Sequence, residues 1–189
     1  MELVAGGRQL VMPVPRGRAR CEGDPEAEFE AVVRFADGSE VRAPAPENHA
    51  GTIERLHDRE CAAAEVQAAT DISLGPLQRG DGFSMQGELV LEQVRPGAQA
   101  QVVEITGSVI FSLVLKGAGP AVSAEQQRSA VPVVIRAERC DPHALSESKH
   151  TFDFEAWIAL DGAEPVVVPF EPDEEAQRQL EQVLAECGP

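Results

Sequence analysis

PVVIRAERC (Pro132–Cys140), FEAWIALDG (Phe154–Gly162) and EPDEEAQRQLEQVLAEC (Glu171–Cys187) follow one another, and their order reads as strand, hairpin and short helix between two cysteines. The same order stands earlier as PVPRGRARC (Pro13–Cys21), FEAVVRFADG (Phe29–Gly38) and PENHAGTIERLHDREC (Pro46–Cys61). In each copy a proline precedes the cysteine of an Arg-Cys pair by eight positions, and Phe-Glu-Ala opens the next strand. Asp-Gly turns that strand, and Pro46 or Pro172 lies fifteen positions before the closing cysteine. So many matched offsets identify a duplicated unit.

The strands are read from period two. Phe29, Ala31, Val33 and Phe35 alternate with charged neighbours, as do Phe152, Phe154, Ala156, Ile158 and Leu160 with Asp153, Glu155 and Trp157. Such alternation belongs to antiparallel strands with one buried face. Asp37-Gly38 and the matching Asp161-Gly162 are hairpin turns. In the second helix Leu180, Val183, Leu184 and Cys187 fall at i, i+3, i+4 and i+7, one continuous apolar stripe, with Gly188 as a cap. In the first, Ile53, Leu56 and Cys61 share a side.

Between the copies, Ala62 to Gly82 reads as a linker, alanine-rich and then broken by Gly75-Pro76 and Gly80-Asp81-Gly82. Arg79-Gly80-Asp81 spells an integrin-binding tripeptide, too short a match to carry weight. Three strands follow: Phe83 to Glu92, with Phe83, Met85, Gly87, Leu89 and Leu91 inward, then Ala100 to Ile105, then Ser108 to Leu115. The last, SVIFSLVL, is apolar on both faces and is expected to be the central strand. Gly117 to Ala130 reads as a polar loop. The fold class expected is mainly β: duplicated β-sandwich or immunoglobulin-like units, each with a short C-terminal helix and one disulfide. Residues 1–66 form the first unit, either shortened at its N-terminus or sharing the middle strands. Residues 67–189 form the second, with three additional strands.

Four cysteines at matched places pair most simply as Cys21 with Cys61 and Cys140 with Cys187. The other two connectivities would cross-link the copies and break their symmetry. Disulfides persist in oxidising compartments, so an extracellular or cell-envelope location is expected. The competing reading is four buried free thiols. Residues 1–20 lack the pattern of a signal peptide, so secretion would require a signal not contained in these residues. The longest apolar run, Val109 to Leu115, is too short to span a bilayer. The lone asparagine, Asn48, offers no glycosylation acceptor.

Thirty-two carboxylates against 16 basic residues give a net charge of −16, which argues against a nucleic-acid partner. No nucleophile elbow, phosphate-cradling loop or zinc-protease helix is present, and every cysteine occupies a repeated scaffold position, so an enzyme is not expected. The richest polar cluster is Arg139 to His150. Asp141, His143, Glu147 and His150 form a candidate binding loop there, and His143 and His150, with Cys140, are candidate metal ligands at Cys-x-x-His spacing. Against the metal, the first copy has no histidine at the matching place, and a bridged sulfur is a poor ligand. A loop whose Asp141 and His143 bond the turn backbone explains the same residues. His57 and Cys61, at i and i+4, are a weaker metal pair.

The run Arg139-Cys140-Asp141-Pro142-His143-Ala144-Leu145, followed by Glu147, Lys149 and Phe152, resembles an uncharacterised family of secreted or lipid-anchored actinobacterial proteins. The resemblance covers mainly residues 131–189, more loosely 83–115, and the first copy departs from it by lacking Asp-Pro-His-Ala. It implies an envelope location and transfers no catalytic residue. The expected function is therefore a non-catalytic extracellular or cell-envelope module that binds a protein or small ligand, with no cofactor. The alternative is a metal-binding or metal-delivery protein using the 140–150 loop.

Overall fold

In the computed structural model, residues 19–22, 30–44, 47–148 and 150–187 are described. Most of the strand expected over 10–21, the turn at 23–25, Phe29 and the Gly188 cap lie outside them. The chain forms two compact units, 1–60 and 61–189.

The described part of the first unit holds a hairpin, β1 (Glu30–Arg34) and β2 (Glu40–Pro44), in antiparallel register with Val33 opposite Val41. Its turn forms where Asp-Gly predicts it. Gly38 takes φ +85°, a conformation that strains any residue with a Cβ, and its N–H donates to the Phe35 carbonyl at 3.0 Å. Asp37 Oδ1 accepts from both the backbone N–H and the hydroxyl of Ser39, which holds its carboxyl below the ordinary value. Phe35, expected to face inward, belongs to this turn and is exposed. Cys21 and Cys61 are each disulfide-bonded. No second sheet occurs among the described residues of 1–60.

Helix α1 (Glu47–Ala69) is 23 residues long. The expected stop at Cys61 does not occur. Ala62-Ala63-Ala64 are the best helix formers, and no glycine or proline interrupts the run before Thr70. The helix ends where the Thr70 hydroxyl donates back to the Val66 carbonyl at 3.0 Å. The supposed linker is thus helix, then strand β3 (Thr70–Leu74) and the two-residue β4 (Gln78–Arg79).

The second unit carries two antiparallel sheets. One is ordered β3, β5 (Ser84–Gln93), β9 (Arg128–Ala137), β7 (Phe111–Leu115), with β4 also paired to β5. The other is ordered β11 (Val166–Phe170), β10 (Phe154–Leu160), β6 (Ala100–Thr106), β8 (Ala121–Val122). Strand β10 alternates as read: Phe154, Ala156, Ile158 and Leu160 are buried, while Glu155 and Trp157 face solvent. Met85, Leu89, Leu91, Phe111 and Ile135 from the first sheet and Val102, Phe154, Ile158 and Val168 from the second share one apolar core. Phe154 meets Phe111 of the opposite sheet edge-on at 6.5 Å and Phe170 of its own at 5.8 Å.

Three expectations fail here. Strand β7 is an edge, and β5 and β9 are central. Its apolar content on both faces reflects no second buried face, since Val114 is 51% exposed. Phe83 precedes β5 and is also exposed. The polar loop over 117–130 contains β8 and the start of β9.

Pro132 sits inside β9 without breaking it. Its carbonyl accepts from the N–H of Lys116 at 2.8 Å, so its nitrogen points toward β7, whose last paired residue is Leu115 opposite Val133. The missing donor therefore falls just past the end of the ladder.

Helix α2 (Pro142–Glu147) follows β9, and α3 (Glu174–Cys187) closes the described chain. Asp173 Oδ1 accepts from the Ala176 N–H at 2.8 Å and starts α3, with Glu174 and Glu175 beside the positive end of its dipole. Ala176, Leu180 and Val183 are buried. Cys187 bonds Cys140, the Cα atoms 5.4 Å apart, tying the end of α3 to the segment after β9.

Two measurements check this packing. Leu180→Ala should lower unfolding free energy by about 2–5 kcal/mol in denaturant titration, because the side chain is completely buried. Replacing Cys140 and Cys187 together by serine opens a bridge of sequence separation 47 and should cost about 4 kcal/mol by loop entropy. The native chain, denatured without reductant, should release no titratable thiol.

Candidate functional site

The strand alternation that buries Phe154 turns Asp153 and Glu155 out on either side of it. Across the hairpin Phe154 stands opposite Phe170, and Glu155 opposite Pro169, so Glu171 lies just past the same end of the ladder. On the other side of β10, Glu155 stands opposite Thr106. The chain then turns through Gly107-Ser108-Val109 into β7. Only glycine fits at the first of these, since a Cβ on Gly107 would lie 1.8 Å from the Phe111 carbonyl oxygen. Ser108 Oγ accepts from the N–H groups of Ile110 and Phe111, both at 3.1 Å, and starts the strand. Val109 is left 61% exposed at the turn.

These pieces line an open cleft of about 760 Å³. Pro169 and Val109 supply its accessible apolar surface, backed by the buried Phe154 and Phe170, while Asp153, Glu155, Glu171 and His150 supply the polar groups. His150 Nδ1 lies 2.5 Å from Asp153 Oδ2, so the ring nitrogen donates and the imidazole is held over the rim. Three carboxylates and one histidine beside apolar surface suit a ligand with a cationic head and an apolar body. Thr106 Oγ1, in register with Glu155, is buried without a hydrogen-bond partner among the described residues.

The candidate loop of the sequence is divided by the fold. Asp141 caps α2: its Oδ1 accepts from the Ala144 N–H at 2.8 Å, and Pro142 occupies the first turn. Its other oxygen lies 4.0 Å from Arg139 Nε. His143 is an exposed residue of α2, Glu147 ends that helix, and Cys140 is bridged. Of the loop residues named from sequence, His150 alone lines the cleft. Among the described residues no group of three histidine, cysteine, aspartate or glutamate side chains is placed to hold one metal ion. Asp153, Glu155 and Glu171 were not singled out from sequence. The available signal was the polar face of an otherwise well-read strand.

The His57–Cys61 pair is likewise occupied structurally, since Cys61 is disulfide-bonded. His57 Nε2 lies 3.0 Å from the Arg20 carbonyl oxygen, and Nδ1 lies 3.4 Å from Asp58 Oδ1. The Arg20 carbonyl first, and Asp58 second, favour the protonated ring and raise its pKa above 6.5.

No protein-family model, curated protein or solved structure matches the chain.

Asp141→Ala should cost about 1 kcal/mol in stability, the ordinary value of a lost helix cap, with His150 chemical shifts unmoved. In an NMR titration His57 should protonate above the ordinary histidine value. Because the folded pKa is the higher one, its stabilisation is complete below about pH 6.5 and fades as pH rises through the folded value. Asp58→Asn should lower that pKa only in part, leaving the Arg20 contribution.

Proposed function

We propose that this chain is a non-catalytic extracellular or cell-envelope module whose second unit binds a protein or small ligand through the cleft at the open end of β10 and β11. The observation that carries this reading is the cleft itself: 760 Å³ with Phe154, Phe170 and Pro169 along its wall and Asp153, Glu155 and Glu171 turned into it. Its size is that of an ordinary ligand site. The described side chains around it offer hydrogen-bond acceptors and apolar surface, with no nucleophile held against a base. The cationic head of a ligand would pair with the carboxylates, and its apolar part would cover Val109 and Pro169. Bridged cysteines support the oxidising compartment. The recurrence of a hairpin followed by a helix, β1–β2–α1 and β10–β11–α3, supports a duplicated scaffold.

The test uses the dipeptide amide acetyl-leucyl-arginine amide, followed by amide NMR on the full chain. Addition to millimolar concentration should shift the resonances of Val109, His150 and Glu155, and the shifts should weaken with salt. Asp153→Asn with Glu171→Gln should reduce the affinity two- to fivefold per charge removed, about the effect of an exposed ion pair. Absence of any localised shift would overturn the cleft as the binding site.

A further inference from the structure

In the second unit most of the described arginines are paired with carboxylates, which are in large excess. Arg79 meets Glu186, Arg95 meets Asp161, Arg128 meets Glu92, Arg139 meets Asp141 and Arg178 meets Glu175, every pair within 4.0 Å. Among the described residues of 61–187 the two remaining cations, Lys116 and Arg136, have no such partner. Both line one groove of 310 Å³ on the solvent face of the β5–β9–β7 sheet. In a chain of net charge −16 carboxylates outnumber cations, so two cations left without an ion pair in one groove are the exception and suit an external anion.

Register gives the groove its dimensions. Arg136 stands between Ser84 and Ser112, Val134 between Gln86 and Val114, and Pro132 opposite Glu88, with the Lys116 N–H bonded to its carbonyl. The two cations thus stand four residue steps apart along the sheet, about 13 Å. Between them lies apolar surface: Val134, half-buried, and Val114, exposed. Three carboxylates lie nearby. Asp81 lines the groove, Glu88 sits one strand from Pro132, and Glu138 accepts from Ser112 Oγ at 2.8 Å. None lies within ion-pair distance of Lys116 or Arg136.

We propose that this groove binds an extended acidic segment of a partner protein, with carboxylates four residues apart seated on Lys116 and Arg136 and an apolar residue between them over Val114. The spacing argues for an extended peptide, because a strand of four residues spans the same 13 Å or so that separates the cations. The proposal deepens the binding-module reading but uses a different face and the opposite charge, so the two stand or fall separately.

The probe is the peptide acetyl-Glu-Thr-Val-Thr-Glu-amide, titrated into the full chain by calorimetry and NMR, with both glutamates replaced by glutamine as control. The acidic peptide should bind and shift Val114, Val134 and Lys116 amides, and the control should not. Lys116→Gln and Arg136→Gln, both at exposed positions, should each weaken binding two- to fivefold, and together by the product, with an unchanged melting temperature. Asp153→Asn should leave this binding intact, and the Lys116 and Arg136 variants should leave the cleft ligand unaffected. Equal binding of the control peptide would overturn the proposal. So would acetate or inorganic phosphate reproducing the same shifts at similar affinity, which would mark a simple ion site. Self-association of the chain abolished by Lys116→Gln would overturn it as well, by assigning the groove to a second copy.

Discussion

The contact between Phe154 and Phe111 joins two sheets that no ladder connects among the described strands. Each ring is buried, each comes from a different sheet, and the edge-on geometry at 6.5 Å lets them interdigitate. Phe170 lies against the far edge of Phe154 from the paired strand, and Leu180 of α3 belongs to the same core. The cleft depends on this contact directly. Phe154 and Phe170 form its wall because they are the last buried pair before the hairpin opens, so the residues that hold the sheets together also set the floor of the candidate site.

What was legible in the sequence is what local chemistry dictates. Strand β10 follows its alternation, the Asp37-Gly38 turn takes the positive φ that glycine permits, and Asp161 and Gly162 both adopt positive φ at the matching place. Asp141 bonds the backbone of its own turn as expected, although the segment winds on into the short helix α2, which the loop reading did not include. The reading failed where a residue's role is set by distant neighbours. SVIFSLVL has the composition of an inner strand, yet strand order is decided by which partners reach it, and only β9 does. Alanine-rich sequence beyond Cys61 has the composition of a spacer, yet nothing in it opposes helix, and Val66 and Ala69 are buried in the core. The site was legible least of all. Its carboxylates come from the two ends of a hairpin and its lip from a loop forty-odd residues earlier, so no local run spells it.

The two faces of the second unit differ in what they leave unfinished. Near the cleft, negative charge is answered within reach by one histidine; across the β5–β9–β7 face, two positive charges are answered by none. Elsewhere the cations of this unit are paired at exposed sites, where each pair contributes little to stability. Their value is in the pattern: with the other arginines of the unit already paired, the two unpaired cations stand out to a partner.

The Cys140–Cys187 bridge also decides how the unit responds to tension. A pull applied to the chain just beyond Cys187 would pass through the sulfurs to Cys140 and so into β9, a central strand hydrogen-bonded on both edges. Helix α3 and the β10–β11 hairpin lie inside the covalent loop and carry none of that load. While the bridge is oxidised they cannot be peeled away from this end, and the force must shear the ladders of β9 instead. Reduction would shift the first element to yield from an inner strand to a single helix, turning a mechanically stiff tether into a compliant one.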